Sequence, residues 1–434
     1  MARPMESTVE SCDGGDDRRM EPVIHLESEA TSVPPGDLAI VLTGGGARAA
    51  YQVGVLRGIA KYLPETRFNI ITGVSAGAIN AVFLASRPGP LRGTVDELTE
   101  FWNGLRIEDV FRVDLPSLAK HLLQWSLQLV SGGSSVRPPV KGLVDATPLG
   151  SLLGRALPVN EAGEIAGITE NVERCDPKAV AVTTLNYGTG QTVTWVQGCD
   201  IPTWERPLRR SVKTRLTIPH VLASAALPLF FPAVSIGSAW HGDGGIRLAA
   251  PLSPALHLGA QRMLAISTQY RKSLDEAEEP ETRGYPPPAQ ILGQLMNAIF
   301  LDVMDEDALW LRRSNSFLAK MPPEQRQGYR VVDLVVVRPS RDLGKLVSTY
   351  EPRLPRGFRF LTRSLGTRET TSPDMLSLLM FQPDYVDTLI QTGAADAEAR
   401  IAEIAALIGG RRAVGSAARR GGLVGAGSDP TPMR

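Results

Sequence analysis

Two stretches decide the fold of this chain: LAIVLTGGG at residues 38–46 and FNIITGVSAG at residues 68–77. Each is a short apolar run that ends in glycines, and apolar residues at helical spacing follow it. A continuous apolar run before a glycine turn and a helix is typical of a buried parallel strand. Two consecutive units of this kind predict an α/β fold, with a mainly parallel central sheet in a three-layer α/β/α arrangement.

The chain beyond residue 170 continues this pattern of strands and helices. A glycine turn separates two alternating runs and predicts a β-hairpin, and later segments show either apolar runs or helical spacing. The predicted elements are the hairpin strands 179–184 and 192–196, a helix within 216–232, strands 263–267 and 331–337, and helices 291–304, 375–379 and 386–408.

The 434 residues are enough for one large domain with an extension. We expect residues 1–36 to form a flexible arm, because they are rich in charge, Ser, Gly and Pro. Residues 37–270 would form the main domain and 271–409 a mostly helical C-terminal extension packed on the core. Residues 410–434, which contain little besides Gly, Arg and Ala, would be a disordered tail.

Composition excludes several classes of function. Lys+Arg and Asp+Glu both number 46, so no global field points to nucleic acid or to an anionic membrane. The N-terminus lacks the apolar core of a secretory signal, and no run reaches the ~18 apolar residues of a membrane span. We therefore expect a cytoplasmic protein that would reach a membrane lipid from the water side.

The three cysteines, Cys12, Cys175 and Cys199, form an odd and sparse set without a CxxC motif. This pattern argues against a disulfide framework and against a cysteine zinc site. We expect the cysteines to be reduced.

Gly73-x-Ser75-x-Gly77 lies between a predicted strand and a predicted helix, which is the context of a nucleophile elbow. The flanking glycines suit a turn too tight for side chains beside the serine. The serine oxygen would then lie at the positive end of the following helix. Since the motif itself is only moderately specific, a plain strand–helix turn is the alternative.

The glycine run Gly44-Gly45-Gly46 could supply backbone amides to the oxyanion that forms when a serine attacks an ester. Arg48 would add positive charge nearby. Gly44-x-Gly46-x-x-Ala49 also matches a dinucleotide-binding fingerprint, but that motif expects an acidic residue at the end of the second strand. Here the second strand leads into the Gly-x-Ser-x-Gly turn instead. We expect no nucleotide cofactor.

A serine nucleophile needs a base. Among the histidines, His241 is the best candidate because it lies two residues before Asp243. Asp243 precedes Gly244-Gly245, which fits a loop close to a ligand or a plain Asx turn. These residues alone do not choose between Asp243 and His241. The other histidines are His25, His121, His220 and His257.

Four segments together resemble the patatin-like phospholipase family. They follow the family's order and spacing between about residues 38 and 268, and the later region is similar to the C-terminal extension of bacterial members. The segments are GGGARA at 44–49 with YQVGVL at 51–56, GVSAGAIN at 73–80, ASAALPLFFP at 223–232, and DGG at 243–245 before Pro251-Leu252.

The resemblance implies a serine lipid acyl hydrolase of the phospholipase A, lysophospholipase or esterase type. It implies a catalytic dyad of Ser75 as nucleophile and Asp243 as base, acting through an acyl-enzyme, with the oxyanion hole in residues 44–46. No metal or other cofactor is implied, and the partner would be a lipid or acyl-ester substrate. This chain departs from the family at Ala49, where glycine is usual; the change should matter only if that residue needs positive φ.

Two other functions remain open at the level of sequence. One is a thioesterase or general carboxylesterase with the same dyad, and the other is a catalytically silent lipid-binding regulator. Peripheral membrane contact is a further expectation. Segment 115–130, which carries Trp125 among leucines, predicts either an ordinary buried helix or an interfacial lid.

Overall fold

The computed structural model describes residues 36–112, 142, 144–279, 285–300, 303–354, 359 and 374–410. The predicted arm before Gly36, segment 115–130 and the predicted tail after residue 410 lie outside these residues. The described residues contain a central sheet of ten strands. The strands are β1 (Leu38–Leu42), β2 (Ile70–Val74), β3 (Ala179–Asn186), β4 (Thr192–Gly198), β5 (Glu205–Arg206), β6 (Arg209–Lys213), β7 (Val234–Ile236), β8 (Ala239–Asp243), β9 (Arg262–Ile266) and β10 (Asp333–Val337).

Helices flank the sheet, and short 3₁₀ turns follow the glycine run and Asp243, at Gly46–Ala49 and Gly244–Arg247. Two further 3₁₀ turns span Pro323–Gln325 and Glu351–Arg353. The helices are α1 (Ala50–Tyr62), α2 (Ala76–Ser86), α3 (Leu91–Asn103), α4 (Ile107–Val110), α5 (Thr147–Ala156), α6 (Ala166–Glu173), α7 (Ile218–Ser224), α8 (Ser253–His257), α9 (Leu274–Glu278), α10 (Pro288–Phe300), α11 (Val303–Leu318), α12 (Leu343–Val347), α13 (Asp374–Leu379), α14 (Pro383–Ala399) and α15 (Ile401–Ile408).

The sheet confirms the predicted α/β class. Strands β10, β9, β1, β2 and β3 are neighbours in that order and run parallel, while β3 and β4 form the predicted antiparallel hairpin. Alternate residues of β1 enter two separate cores: Ile40 packs in the core with α1, α2, α3 and α14, and Val41 in the core with α8 and α11. Helices therefore cover both faces, as the three-layer prediction requires.

Several predicted boundaries differ from the structure. The second strand, predicted at 68–71, runs from Ile70 to Val74, because it pairs along most of that length with β1 and along all of it with β3. Of the helix predicted at 291–304, the structure describes α10 up to Phe300 and the start of α11 from Val303, and residues 301–302 lie outside the described residues. The helix predicted at 386–408 divides at Arg400, where φ is −115°. The Arg400 side chain there donates to the Val336 carbonyl of β10.

The expectation of reduced cysteines is wrong. Cys175 and Cys199 form a disulfide, with 5.9 Å between their Cα atoms. The hairpin brings them together, since Ala179 of β3 pairs with Gly198 of β4. Cysteine spacing in a sequence carries no information on such a register, whereas a disulfide depends on Cα separation. The expected cytoplasmic location therefore loses the support that the cysteines gave it.

In the described part of the chain, no helix has both the length and the apolar character that a bilayer crossing demands.

Helices α1 and α14 pack with their backbones nearly in contact. A Cβ atom at Gly54 would collide with the carbonyl oxygen of Ile390, and one at Gly393 would collide with that of Tyr51. Glycine is therefore the residue that this helix crossing can accept at both positions. Together with the pairing of β10 and β9, this contact joins the chain beyond residue 270 to the main core.

We predict that Gly393→Ala lowers the free energy of unfolding by roughly 2 kcal/mol or more, because the added methyl group has no room. Gly154→Ala is the matched control, since Gly154 is exposed in α5 and a Cβ there meets nothing within 4 Å. The control should be neutral or gain up to about 1 kcal/mol from helix propensity. Urea unfolding of both variants is the measurement, and equal effects would contradict this account of the helix crossing.

Candidate active site

The carboxyl ends of β2 and β8 meet on one edge of β3. Strand β2 pairs in parallel with β3 up to Val74 opposite Thr183, and β8 pairs antiparallel with it from Asp243 opposite Thr184. Strand β4 occupies the other edge of β3 along this stretch. Ser75, the residue after β2, is thereby brought next to Asp243, the last residue of β8.

The backbone of Ser75 adopts an uncommon conformation, with φ 56° and ψ −135°. A positive φ is unfavourable for a residue with a Cβ, and such strain persists only where the surroundings enforce it. Helix α2 begins at the next residue. Its start packs so tightly on the end of β1 that a Cβ at Gly77 would collide with the Leu42 and Thr43 carbonyl oxygens. The predicted tight strand–helix turn is present, and Gly73 lies just before it in β2, where a Cβ would lie 2.5 Å from the Gly77 carbonyl oxygen.

Asp243 is fully buried. Its Oδ1 accepts a hydrogen bond of 2.8 Å from the Gly245 amide, so the Asx turn considered as an alternative is also present. Its Oδ2 is buried and has no hydrogen bond of ordinary geometry within the described residues. Burial raises the pKa of Asp243 to about 7, and the facing Ser75 hydroxyl and the Gly245 amide oppose that rise. The carboxyl can therefore gain or lose a proton near neutral pH.

The glycine run lies directly beside Ser75. A Cβ atom at Gly44 would lie 2.9 Å from the Ser75 Cβ, which leaves no room for a side chain. The amides of Gly44, Gly45 and Gly46 donate no hydrogen bond to another residue that the structure describes. The Ser75 amide, by contrast, donates to Ser224. Backbone amides without partners next to a buried hydroxyl are suited to binding an anionic oxygen.

Arg48 was predicted to add positive charge beside the glycine run, and the structure gives its guanidinium two protein partners. Its Nε donates to the Ser377 hydroxyl at 2.6 Å, and its Nη2 forms an ion pair with the Asp374 carboxylate. The charge of Arg48 is therefore compensated by α13. The contact ties the C-terminal region to the turn after β1.

The structure separates the two candidate bases. His241 Nδ1 is hydrogen-bonded to the Thr184 hydroxyl at 3.0 Å, and its ring packs on Trp195. Its pKa is lowered, first by burial and then by Arg210. None of the hydrogen bonds among the described residues joins His241 to Ser75 or Asp243. Of the two, Asp243 is the one whose pKa is affected by burial and then by the Ser75 hydroxyl.

The remaining histidines lie elsewhere. His220 is hydrogen-bonded to the Thr217 hydroxyl, and burial together with His241 lowers its pKa to about 4. The His257 ring stacks on Trp204. His25 and His121 lie outside the described residues.

Ser75 opens into an apolar cleft of about 700 Å³, including the part open to solvent. No charged side chain among the described residues lines it. Phe300, at the end of α10, approaches so closely that a Cβ at Gly245 would lie 2.5 Å from its ring. A Cβ at Gly244 would lie 2.3 Å from the Thr183 carbonyl oxygen. A cleft lined in this way suits an apolar ligand. Its other walls include Trp102, Leu149, Phe231, Leu378 and Phe381.

A buried chain of polar side chains supports this cleft, and sequence reasoning missed it. Gln52 donates to the Thr43 carbonyl at 2.7 Å, Asn80 donates to Gln52 at 2.9 Å, and Trp102 donates to Asn80 at 2.7 Å. The chain links the end of β1 to α1, α2 and α3. The available signal was the presence of Gln52 and Asn80 at otherwise apolar helical positions.

A family model described as patatin-like phospholipase matches residues 40–256. The chain belongs to the patatin-like phospholipase family. The mouse calcium-independent phospholipase A2-gamma is 26% identical over 222 residues, which cover 50% of this chain and 25% of that protein. The rat protein of the same name is 25% identical over 227 residues. The match therefore spans only about a quarter of the length of these relatives.

Solved structures of similar proteins include human GIVD cytosolic phospholipase A2. It is 12% identical, with a TM-score of 0.41 over 87% of this chain and 60% of that one. VipD from Legionella pneumophila is also 12% identical, with a TM-score of 0.31 over 82% of this chain and 67% of that one.

The departure from the patatin-like pattern at Ala49 causes no strain. Ala49 has φ −65° and ψ −13°, which is ordinary right-handed helical backbone. An alanine adopts this conformation as readily as any residue. Because Ala49 does not need a positive φ, alanine in place of glycine should not matter at this position.

We predict that Asp243→Asn changes how stability depends on pH. A carboxyl whose pKa is raised by folding stabilises the protein when protonated, and this contribution is lost as pH rises towards about 7. Asparagine stays neutral, so the variant should gain up to roughly 4 kcal/mol over the unmodified protein between pH 4 and pH 8. Urea unfolding across this range measures the difference. Asp200→Asn, at an exposed aspartate, is the control. If the free energy of unfolding of all three proteins depended on pH in the same way, the raised pKa of Asp243 would be contradicted.

Proposed function

We propose that this chain is a serine lipid acyl hydrolase in which Ser75 attacks the acyl ester and Asp243 accepts the serine proton. The observation that carries the proposal is the fully buried Asp243 carboxyl, with a pKa of about 7, facing the Ser75 hydroxyl. An ordinary aspartate is a weak base at neutral pH. Burial makes this one more basic while leaving about half of it ionised at pH 7.

In the first half of the reaction, the ionised Asp243 removes the Ser75 proton as Oγ attacks the acyl carbonyl carbon. The amides of Gly44, Gly45 and Gly46, which have no partner in the described part of the chain, support a role in holding the oxyanion that develops. The protonated Asp243 then gives its proton to the leaving oxygen. The alcohol or lysolipid departs, and the acyl group remains on Ser75.

In the second half, Asp243 removes a proton from a water molecule, which attacks the acyl-enzyme. The tetrahedral intermediate collapses, the fatty acid leaves, and Ser75 regains its proton from Asp243. The apolar cleft supports a substrate with a hydrocarbon chain, because each buried methylene contributes about 0.8 kcal/mol to binding. Phospholipids, simple carboxylesters and thioesters share this acyl chain, so parallel assays on vesicles, p-nitrophenyl esters and acyl thioesters separate the three classes.

We predict that Ser75→Ala and Asp243→Asn each lower kcat/KM for ester hydrolysis by at least ~10³-fold, because each removes one partner of the proton transfer. His241→Ala should retain most activity, since its ring is bonded to Thr184 rather than to either residue. Hydrolysis of a long-chain p-nitrophenyl ester is the measurement. A histidine change as damaging as the serine change would disprove the dyad, and failure of a fluorophosphonate probe to label Ser75 would favour a silent lipid-binding protein.

We predict that kcat/KM rises with pH and levels off above about pH 7, because Asp243 must be ionised to accept the proton. Two units below that pKa only about 1% of the carboxyl is ionised, so activity at pH 5 should be roughly 100-fold below the plateau. The substrate should be a neutral ester, because an ester that gains or loses a proton would add its own pKa to the pH profile. A profile flat from pH 5 to pH 8 would exclude Asp243 as the base.

A further inference from the structure

The end of α7 contacts both residues of the proposed dyad. The Ser75 amide donates a hydrogen bond of 3.0 Å to Ser224 Oγ, and Ser224 Oγ donates one of 2.7 Å to the Thr183 carbonyl oxygen. Two residues later, the Ala226 carbonyl oxygen accepts a bond of 3.1 Å from the Asp243 amide. Ser224 is completely buried. One short segment therefore binds the backbone of Ser75 and that of Asp243.

We propose that Ser224 is a positioning residue whose hydroxyl holds the Ser75 backbone at the edge of β3, so that Ser75 Oγ stays opposite the Asp243 carboxylate. The inference rests on the proposed dyad. Ser224 is not expected to touch the substrate or the reacting atoms.

The strand arrangement explains why a hydroxyl is required at this place. After Val74, the edge of β3 is occupied by β8, so the Ser75 amide has no strand partner to donate to. The Ser224 hydroxyl supplies the missing acceptor and at the same time donates to the Thr183 carbonyl. A hydroxyl can accept and donate together, whereas alanine would leave both backbone groups buried without a partner.

The same bond affects the oxyanion. Because the Ser75 amide is engaged by Ser224, it is not available to an oxyanion beside Ser75. Other amides must therefore bind the oxyanion. The amides of the glycine run have no partner among the described residues and are suited to this role. Ser224 thus sets both the position of the serine and the direction from which the oxyanion is held.

Loss of the hydrogen bond between Ser224 and the Ser75 amide should also change the pKa of Asp243. The Ser75 hydroxyl lowers the pKa of Asp243 against the effect of burial, so a displaced Ser75 would let that pKa rise above about 7. The other groups around the carboxyl are the Gly245 amide, the Tyr187 phenol, whose own pKa is raised by burial and then by the Asp243 charge, and His241 on the same strand. None of these three is bonded to Ser224.

We expect Ser224→Ala to lower kcat by roughly 10- to 100-fold with little change in KM, as expected for a misplaced nucleophile. The midpoint of its pH profile should rise by about half a unit or more, a shift that a mere loss of stability would not produce. Ser86→Ala is the matched control: Ser86 is also buried, and its hydroxyl donates to the Phe83 carbonyl at 3.0 Å at the opposite end of α2. The control should keep the original kcat and midpoint.

The outcomes separate this inference from the proposed function. If Ser75→Ala is inactive while Ser224→Ala matches Ser86→Ala in kcat and midpoint, the positioning role is overturned and the dyad stands. If Ser75→Ala keeps full activity, the proposed function itself fails. Should Ser224→Ala not fold, Ser224→Cys replaces it, because a thiol is a weak donor and acceptor of similar size. An unaltered kcat and midpoint in the cysteine variant would also overturn the inference.

Discussion

Two strands, β2 and β8, pair with successive parts of the same edge of β3, and the geometry of the candidate site depends on this pairing. Strand β2 uses the edge up to Thr183, and β8 uses it from Thr184 onwards in the opposite direction. Because two backbones cannot bond to the same groups, β2 must end where β8 begins. The chain therefore leaves the sheet at Ser75 in a strained turn, and Asp243 lies at the junction with its carboxyl out of water. The closeness of the two residues follows from this pairing, and the raised pKa of the carboxyl follows from its burial.

The region after the family match completes the site. The match ends at residue 256, yet Phe300, Leu378 and Phe381 form walls of the cleft. Arg48, next to the glycine run, is held by Asp374 of α13. The C-terminal region is thus attached at the turn after β1 and by the crossing of α1 and α14. Its side chains add apolar surface to the cleft near Asp243, and a surrounding that excludes water raises the pKa of a carboxyl.

Sequence reasoning succeeded where the local signal was strong. The run that ends at Leu42 is apolar throughout and the run that ends at Val74 is mostly apolar, and a glycine-containing turn follows each, so two strand–turn–helix units could be predicted. The second strand was predicted two residues too early at its start and three at its end. The break at Arg400 was missed; the Arg400 side chain there is bonded to Val336, a residue far away in the chain that local spacing does not reveal. The disulfide of Cys175 and Cys199 was missed for the same reason, since it depends on the register of a hairpin.

The sequence by itself determined the α/β class, the turn at Ser75 and the glycine run, because each depends on neighbouring residues and on the conformations they permit. It offered both Asp243 and His241 as a base, and it gave no role to Ser224. Only the tertiary structure shows that the Asp243 carboxyl is buried, that His241 is bonded to Thr184, and that Ser224 accepts a bond from the Ser75 amide. Whether a carboxyl is dry, and which hydroxyl it faces, depends on strand pairing between distant segments, and neither composition nor local spacing contains that information.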